Sequence, residues 1–293
     1  MEQLGFIGLG IMGKPMAQNL LKAGCKVLVN DTLPQAVKAL ETEGGISASQ
    51  QEMAQTCDVI FLSLPSGQIC ESVVKGLTKD LKPGTLVVDT SSITPTQAQT
   101  CAQMLQEKEG NYLDAPVSGG EPGAIAGTLA FMVGGSEEAF QRAKPYFDIM
   151  GSSAERIGPV RSGSVTKLAN QIIVNNTIAV VSEALVFATK AGADPEKVYR
   201  AIRGGLAGSA VLDAKAPMMY NRNFTPGGRI SINHKDIKNV LETAHAIDAP
   251  VPLSAQLFEI LQSLKVSGHM GDDHSGIVQY FEQLAGVIVK KGE

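Results

Sequence analysis

LGFIGLGIMGKPMAQNL, residues Leu4–Leu20, joins a short apolar run to a helical pattern through three glycines. Gly8, Gly10 and Gly13 fit G-x-G-x-x-G, in which the first glycine permits the tight turn, the second lets the backbone approach a pyrophosphate, and the third lets helix and strand pack closely. A helix opening near Ile11 would aim its free N–H groups and the positive end of its dipole at phosphate charge. The cofactor contacts expected here are Gly8, Leu9, Gly10, Ile11, Met12 and Gly13.

Context decides whether such a turn binds anything. Gly24 stops the helix, and Lys26 to Asn30 form a second apolar strand that ends at Asp31, 18 residues beyond Gly13. That is close to the spacing of roughly 20 expected for the acid that holds the adenosine ribose diol. A carboxylate accepts hydrogen bonds from a free 2′-hydroxyl and repels a 2′-phosphate, and Thr32 rather than an arginine follows it. NAD(H) is therefore favoured over NADP(H), with Lys26 and Lys38 the residues that would otherwise have to meet a phosphate.

Working outward, Leu33 to Glu43 read as a helix with Pro34 in its first turn and Gly44-Gly45 behind it. Asp58 to Leu64 and Thr85 to Asp89 are continuous apolar runs of strand length, suited to a sheet covered on both faces. They empty into Leu64-Pro65-Ser66 and Thr90-Ser91-Ser92. Strands and helices alternate to about residue 110, which predicts a doubly wound parallel sheet, and the ends at Asp31, Leu64-Pro65 and Ser91-Ser92 would line one crevice. Ser91 and Ser92 serve equally well as cofactor contacts or as caps for the helix Thr94 to Lys108. Beyond the strand Tyr112 to Ala115, Ser118-Gly119-Gly120 is either an anion nest suited to a carboxylate or a plain surface turn. Thr128 to Val133, Ser136 to Met150 and Ala154 to Ile157 read as strand, helix and strand.

From Gly163 the pattern becomes helical. Leu168, Ile172, Ala179, Leu185, Phe187 and Ala188 recur at helical spacing over residues 165–191 with no breaker before Gly192. Further helices are expected at Pro195 to Arg203, Lys235 to Ala246, Leu253 to Val266 and Ile277 to Lys290, with a broken region through Gly204, Gly205 and Gly208. The organisation expected is a Rossmann-type α/β domain, residues 1–162, then an all-α domain, residues 163–293, joined by a long interdomain helix. Lys167 and Asn170 share one helix face, and a lysine beside a nucleotide domain can protonate a carbonyl oxygen. A solvated lysine and a surface amide fit the spacing as well. Lys235-Asp236 pose the same choice between an ion pair at a helix start and a lysine reaching a cleft.

Among 293 residues, 25 basic residues against 29 acidic ones leave a net charge of −4, which points to neither nucleic acid nor an anionic membrane as partner. No uninterrupted apolar run reaches the ~20 residues of a membrane span, no basic leader precedes the first strand, and the cytoplasm is the expected compartment. Cys25, Cys57, Cys70 and Cys101 stand far apart and are expected as reduced thiols in or near the core. His234, His245, His269 and His274 lack metal-ligand spacing, and Asp272-Asp273-His274 reads as a cap-rich turn, so no metal is expected. G-x-S-x-G and Walker patterns are absent.

Taken together, the blocks Gly8–Met16, Asp114–Gly120, Gly163–Gln171 and Lys235-Asp236 resemble the β-hydroxyacid dehydrogenase family, over essentially the whole chain. Ala201–Ser209 and Val211–Pro217 are most similar to its reductases of a short 2-hydroxy-3-oxo acid. The resemblance implies Lys167 as catalytic acid/base and Asn170 as a substrate contact. It implies Ser118, Gly119 and Gly120 as the carboxylate site, and Leu64, Pro65, Ser92 and Lys235 as cofactor contacts. Family members often carry a second asparagine after the first, where Gln171 stands here. The expected partner is a small hydroxy or oxo acid, and self-association as a homo-oligomer is expected from the large apolar helical domain. Siblings acting on 3-hydroxyisobutyrate or 4-hydroxybutyrate, and a non-catalytic nucleotide-binding module, are the alternatives.

Overall fold

A computed structural model describes residues 2–292. The chain forms two compact units, Met1–Lys167 and Leu168–Glu293. The first contains β1 (Leu4–Ile7), α1 (Gly13–Lys22), β2 (Val27–Asn30), α2 (Pro34–Glu41), β3 (Ile46–Ser47), α3 (Gln50–Thr56), β4 (Val59–Leu62) and α4 (Gly67–Leu77). It continues through β5 (Leu86–Asp89), α5 (Pro95–Gln106), β6 (Asn111–Asp114), β7 (Val117–Ser118), α6 (Gly120–Ala126), β8 (Leu129–Gly134), α7 (Glu137–Met150) and β9 (Gly151–Gly158).

The strands build one sheet in the order β3-β2-β1-β4-β5-β6-β8-β7, with β9 paired to β8. Its parallel part, 3-2-1-4-5-6, is the order of dinucleotide-binding folds, and the order reverses between β1 and β4, where such sheets collect ligands at the strands' carboxyl ends. Ile7 lies between Asn30 and Leu62, and Leu62 pairs with Asp89, so the three loops expected to share a crevice do leave the same edge side by side. β8 runs antiparallel to β6 and β7.

Alternation along the strands sends successive apolar residues to opposite faces. Phe6, Val29, Phe61 and Val88 enter one core with Met16, Leu20 and Phe147, while Ile7, Leu28, Ile60 and Val87 enter another with Met53, Val74 and Leu105. Phe6 and Phe61 stack at 5.8 Å between ring centroids, and both are completely buried. Burial of each such side chain contributes about 2–3 kcal/mol. Cys57, Cys70 and Cys101 are free and buried in the second of these cores, and Cys25 is half-buried. Burial pushes the Cys57 thiol up to about 11, which leaves it an unreactive packing group.

The 29-residue helix α8 (Ser162–Lys190) runs through the division at Lys167. The boundary expected at residue 162 falls on its first residue, because the turn that begins the helix is bound to the sheet. Its length and a mean hydropathy of 1.6 would suffice to cross a bilayer. In this fold, though, Leu168, Ile178 and Leu185 join a helical core, and the polar Gln171, Asn175 and Ser182 are buried with hydrogen-bond partners.

The second unit continues with α9 (Pro195–Ile202), α10 (Ala210–Tyr220), α11 (Ile230–Ala246), α12 (Pro252–Val266), two short 3-10 turns and α13 (Val278–Ala285). Three sequence expectations need correction. α10 lies where only a broken region was expected: Ser209 caps it by accepting the Leu212 N–H at 3.0 Å, and Pro217 is accommodated inside it. α11 opens at Ile230, not Lys235, since a tertiary contact starts it, with Ile230 N–H donating to the Asp272 carbonyl at 3.0 Å and no side chain capping Arg229. α13 stops at Ala285 instead of Lys290, because Gly286 turns left-handed at φ 61°.

Candidate active site

In the first unit, the glycines of the opening turn differ in what holds them. Gly8 has φ +95°, and a Cβ there would strike the Ser63 carbonyl oxygen; a Cβ on Gly13 would strike the Gly8 carbonyl oxygen. Those two are demanded by the turn and by helix-on-strand packing. At Gly10 a Cβ would meet nothing within 4 Å, so its lack of a side chain answers to no protein neighbour. No side chain among the described residues caps α1, and its first turn carries no acid. Space over Gly10, backbone N–H groups and an uncapped helix start fit a dinucleotide pyrophosphate. A cleft of about 450 Å³ adjoins them, lined by Leu9, Gly10, Ile11, Lys14, Glu121 and Ile125 among others.

Asp31 sits at the end of β2 with its carboxylate between two backbones. Oδ2 accepts the Leu9 N–H at 2.6 Å and Oδ1 the Leu33 N–H at 2.7 Å. It thereby ties the glycine turn to the start of α2.

The loop after β4 is held from beneath. Leu64 N–H donates to Ser91 Oγ at 2.8 Å, while Ser91 N–H donates to Asp89 Oδ1 at 2.9 Å and the Tyr112 hydroxyl to Asp89 Oδ2 at 3.0 Å. Ser91 is buried, so its hydroxyl supports the Leu64-Pro65 loop from inside, whereas Ser92 is half-buried. Neither serine caps α5: Thr94 does so, in a capping box with Gln97. Burial raises the Asp89 pKa against the opposing effect of Ser91. Read from the sequence, the strand-ending aspartates of β5 and β6 carry no supporting role, although Asp114 opens the block Asp114–Gly120. Their signal is an acid closing an apolar run, as Asp31 does after β2.

Asp114, at the end of β6, accepts the Arg161 N–H at 2.9 Å and the Ser164 N–H at 2.7 Å. It is buried, and burial raises its pKa although both N–H groups favour the charged form. The start of α8 is thus fastened to the sheet, and with it Lys167. Lys167 Nζ donates to the Val117 carbonyl at 2.9 Å, one residue before Ser118. Gly119 and Gly120 follow at φ +131° and +61°, conformations that a side chain would strain, and they open α6 with their backbone exposed. The turn reading of Ser118-Gly119-Gly120 and the nest reading therefore describe one backbone, a turn that leads into a helix beside an ammonium.

In the second unit, Asn170 Nδ2 donates to Gln171 Oε1 at 3.0 Å, and Gln171 Nε2 donates to Asp236 Oδ2. Lys235 Nζ pairs with Asp236 Oδ1 at 3.3 Å, in the second turn of α11 instead of at its start. Asp273 caps the turn that begins at His274, the role its sequence suggested, and also accepts from Lys215, Gly227 and Gly228. No group of three or more His, Cys, Asp or Glu suited to a metal occurs among the described residues.

A model of the NAD-binding domain of 6-phosphogluconate dehydrogenase matches residues 3–158, and one described as the NAD-binding domain of NADP-dependent 3-hydroxyisobutyrate dehydrogenase matches residues 162–281. The chain is 41% identical to a 2-hydroxy-3-oxopropionate reductase of Escherichia coli K12, over 97% of this chain and 98% of that one. The chain belongs to the β-hydroxyacid dehydrogenase family. It is 35% identical to a 2-(hydroxymethyl)glutarate dehydrogenase of Eubacterium barkeri, over 99% and 98% of the two chains. A solved 3-hydroxyisobutyrate dehydrogenase of Mycobacterium tuberculosis with L-serine superposes with a TM-score of 0.89 at 29% identity, covering 95% of this chain and 98% of that one. This β-hydroxyacid dehydrogenase is an oxidoreductase that uses a nicotinamide cofactor.

Proposed function

We propose that this dehydrogenase reduces tartronate semialdehyde, 2-hydroxy-3-oxopropanoate, to glycerate in a reversible reaction that uses NADH in preference to NADPH. The observation that carries the reading is the Lys167 ammonium at 2.9 Å from the Val117 carbonyl, directly before Ser118-Gly119-Gly120. A short acid bound at that turn by its carboxylate would present its carbonyl oxygen to the same ammonium.

Ser118 Oγ–H and the backbone N–H groups of Gly119 and Gly120 bind the carboxylate, and Asn170 orients the remainder. The bound nicotinamide supplies the hydride. Lys167 donates a proton from Nζ to the aldehyde oxygen, and in the reverse direction accepts it from the alcohol. The Val117 carbonyl accepts from the ammonium and so aims it. Gly8, Leu9, Gly10, Ile11, Met12 and Gly13 hold the pyrophosphate, Asp31 the adenosine ribose, and Leu64, Pro65, Ser92 and Lys235 the rest of the cofactor, with Ser91 supporting Leu64. Identity to the E. coli reductase supports the choice of substrate, and Asp31 supports the choice of cofactor.

Initial rates with tartronate semialdehyde, methylmalonate semialdehyde and succinic semialdehyde, each with NADH and with NADPH, test both choices. The largest kcat/KM should belong to tartronate semialdehyde with NADH. A larger value for either other aldehyde rejects the substrate, and a larger value with NADPH rejects the cofactor.

A further inference from the structure

We propose that Gln171 is a positioning residue that sets which end of the Asn170 carboxamide faces the substrate, and so makes the enzyme select acids with a hydroxyl at C2. The inference rests on the reading of Asn170 as a substrate contact. Its physical basis is a chain of hydrogen bonds that can run in only one direction.

Asp236 is 1% exposed and, as a carboxylate, only accepts. Gln171, 7% exposed, must therefore turn its NH₂ toward Asp236 Oδ2, which sends Oε1 the opposite way. That oxygen accepts from Asn170 Nδ2 at 3.0 Å, so the second amide is oriented by the first. Reversing Gln171 would set its oxygen against the Asp236 carboxylate at a buried position, a fault that costs about 1–3 kcal/mol, and reversing Asn170 would set oxygen against oxygen at a half-buried one. Two further contacts hold the chain in place. Lys235 Nζ pairs with the other oxygen of Asp236 at 3.3 Å, and Asn175 Nδ2 donates to the Gln171 carbonyl at 2.8 Å.

With one N–H turned to Gln171, the Asn170 carboxamide carries Oδ1 on its opposite edge as an acceptor. A C2 hydroxyl can donate to it. A C2 methyl leaves it unmet, and sites built around a substrate hydroxyl reject analogues that lack it far more strongly than an apolar pocket rejects an added group. Gln171 thus bears on substrate choice without touching the substrate. An asparagine at 171 is one methylene shorter and could not span from Asn170 to Asp236 in the same way.

The test is the ratio of kcat/KM for tartronate semialdehyde to that for methylmalonate semialdehyde, which differ at C2 by hydroxyl against methyl. The wild type should prefer the hydroxy acid by 100-fold or more, and Gln171→Leu should bring the preference below tenfold. Asp236→Asn, which is isosteric and lets the amide chain run either way, should do the same and carries the test if Gln171→Leu does not fold. A purely structural role would lower both kcat/KM values together, and an unchanged ratio in either folded variant overturns the proposal. Side-chain amide NMR separates this failure from that of the substrate reading. Asn170 Nδ2 resonances should shift and exchange faster in both variants whichever aldehyde the enzyme prefers, and resonances that stay in place overturn the relay.

Discussion

Gly8 and Gly10 are the same residue in one turn for different reasons, and substitution separates them. A Cβ at Gly8 collides with backbone and demands a left-handed residue; at Gly10 it enters open space. Gly10→Ala should fold with a melting temperature within 2–3 °C of the wild type, yet lose tenfold or more in NADH affinity, about 1.4 kcal/mol. Fluorescence titration with NADH beside thermal melting reads both. His274 carries a second residue-scale prediction. Burial, and then the Lys215 ammonium, hold its pKa down to about 4, and Asn233 Nδ2 at 2.8 Å from Nδ1 donates to the neutral ring. The folded value lies below the unfolded value of about 6.5, so the unfolded chain binds the extra proton first. Stability from this group is complete above pH 6.5 and is lost as pH falls toward 4, by an amount on the order of 3 kcal/mol. Urea unfolding of wild type and His274→Gln from pH 7.5 to 4.5 should show a shallower decline in the variant.

At the scale of elements, α8 begins where it does because Asp114 accepts the N–H groups of Arg161, just before the helix, and of Ser164, in its first turn. Asp114→Ala leaves the buried Ser164 N–H beside an apolar methyl and should cost about 1–3 kcal/mol. Since this cap fixes the turn that carries Lys167, kcat should fall more than NADH affinity; equal stability in urea unfolding would contradict the role. Elements whose boundaries are written in local chemistry were legible: Gly8 to Gly13 for the first turn, Thr94-Pro95 for α5, and the apolar runs of β2, β4 and β5. Elements started or stopped by distant contacts were not. α11 opens on the Asp272 carbonyl with no capping side chain, and α10 carries Pro217 inside it, so neither announces itself along the chain. The candidate site followed the same division. Lys167, Asn170 and the serine-glycine turn stand in recognisable blocks, whereas the supports beneath Lys167 and Asn170, Asp114 with Ser164 and Gln171 with Asp236, pair residues 50 and 65 positions apart.

At the scale of the molecule, the α/β unit carries the glycine turn, the Ser118-Gly119-Gly120 turn and Lys167, and the helical unit carries Asn170 and Lys235. With the chain at a net charge of −4, an anionic substrate would have to be met by local donors and not by a general field. The claim on which the account rests is that Lys167 moves the proton. The most direct measurement is NADH oxidation by Lys167→Ala with saturating tartronate semialdehyde, set beside its NADH dissociation constant. The account predicts a kcat lower by about 10²–10⁴-fold with NADH affinity within twofold of the wild type; a kcat within tenfold of the wild type would contradict it.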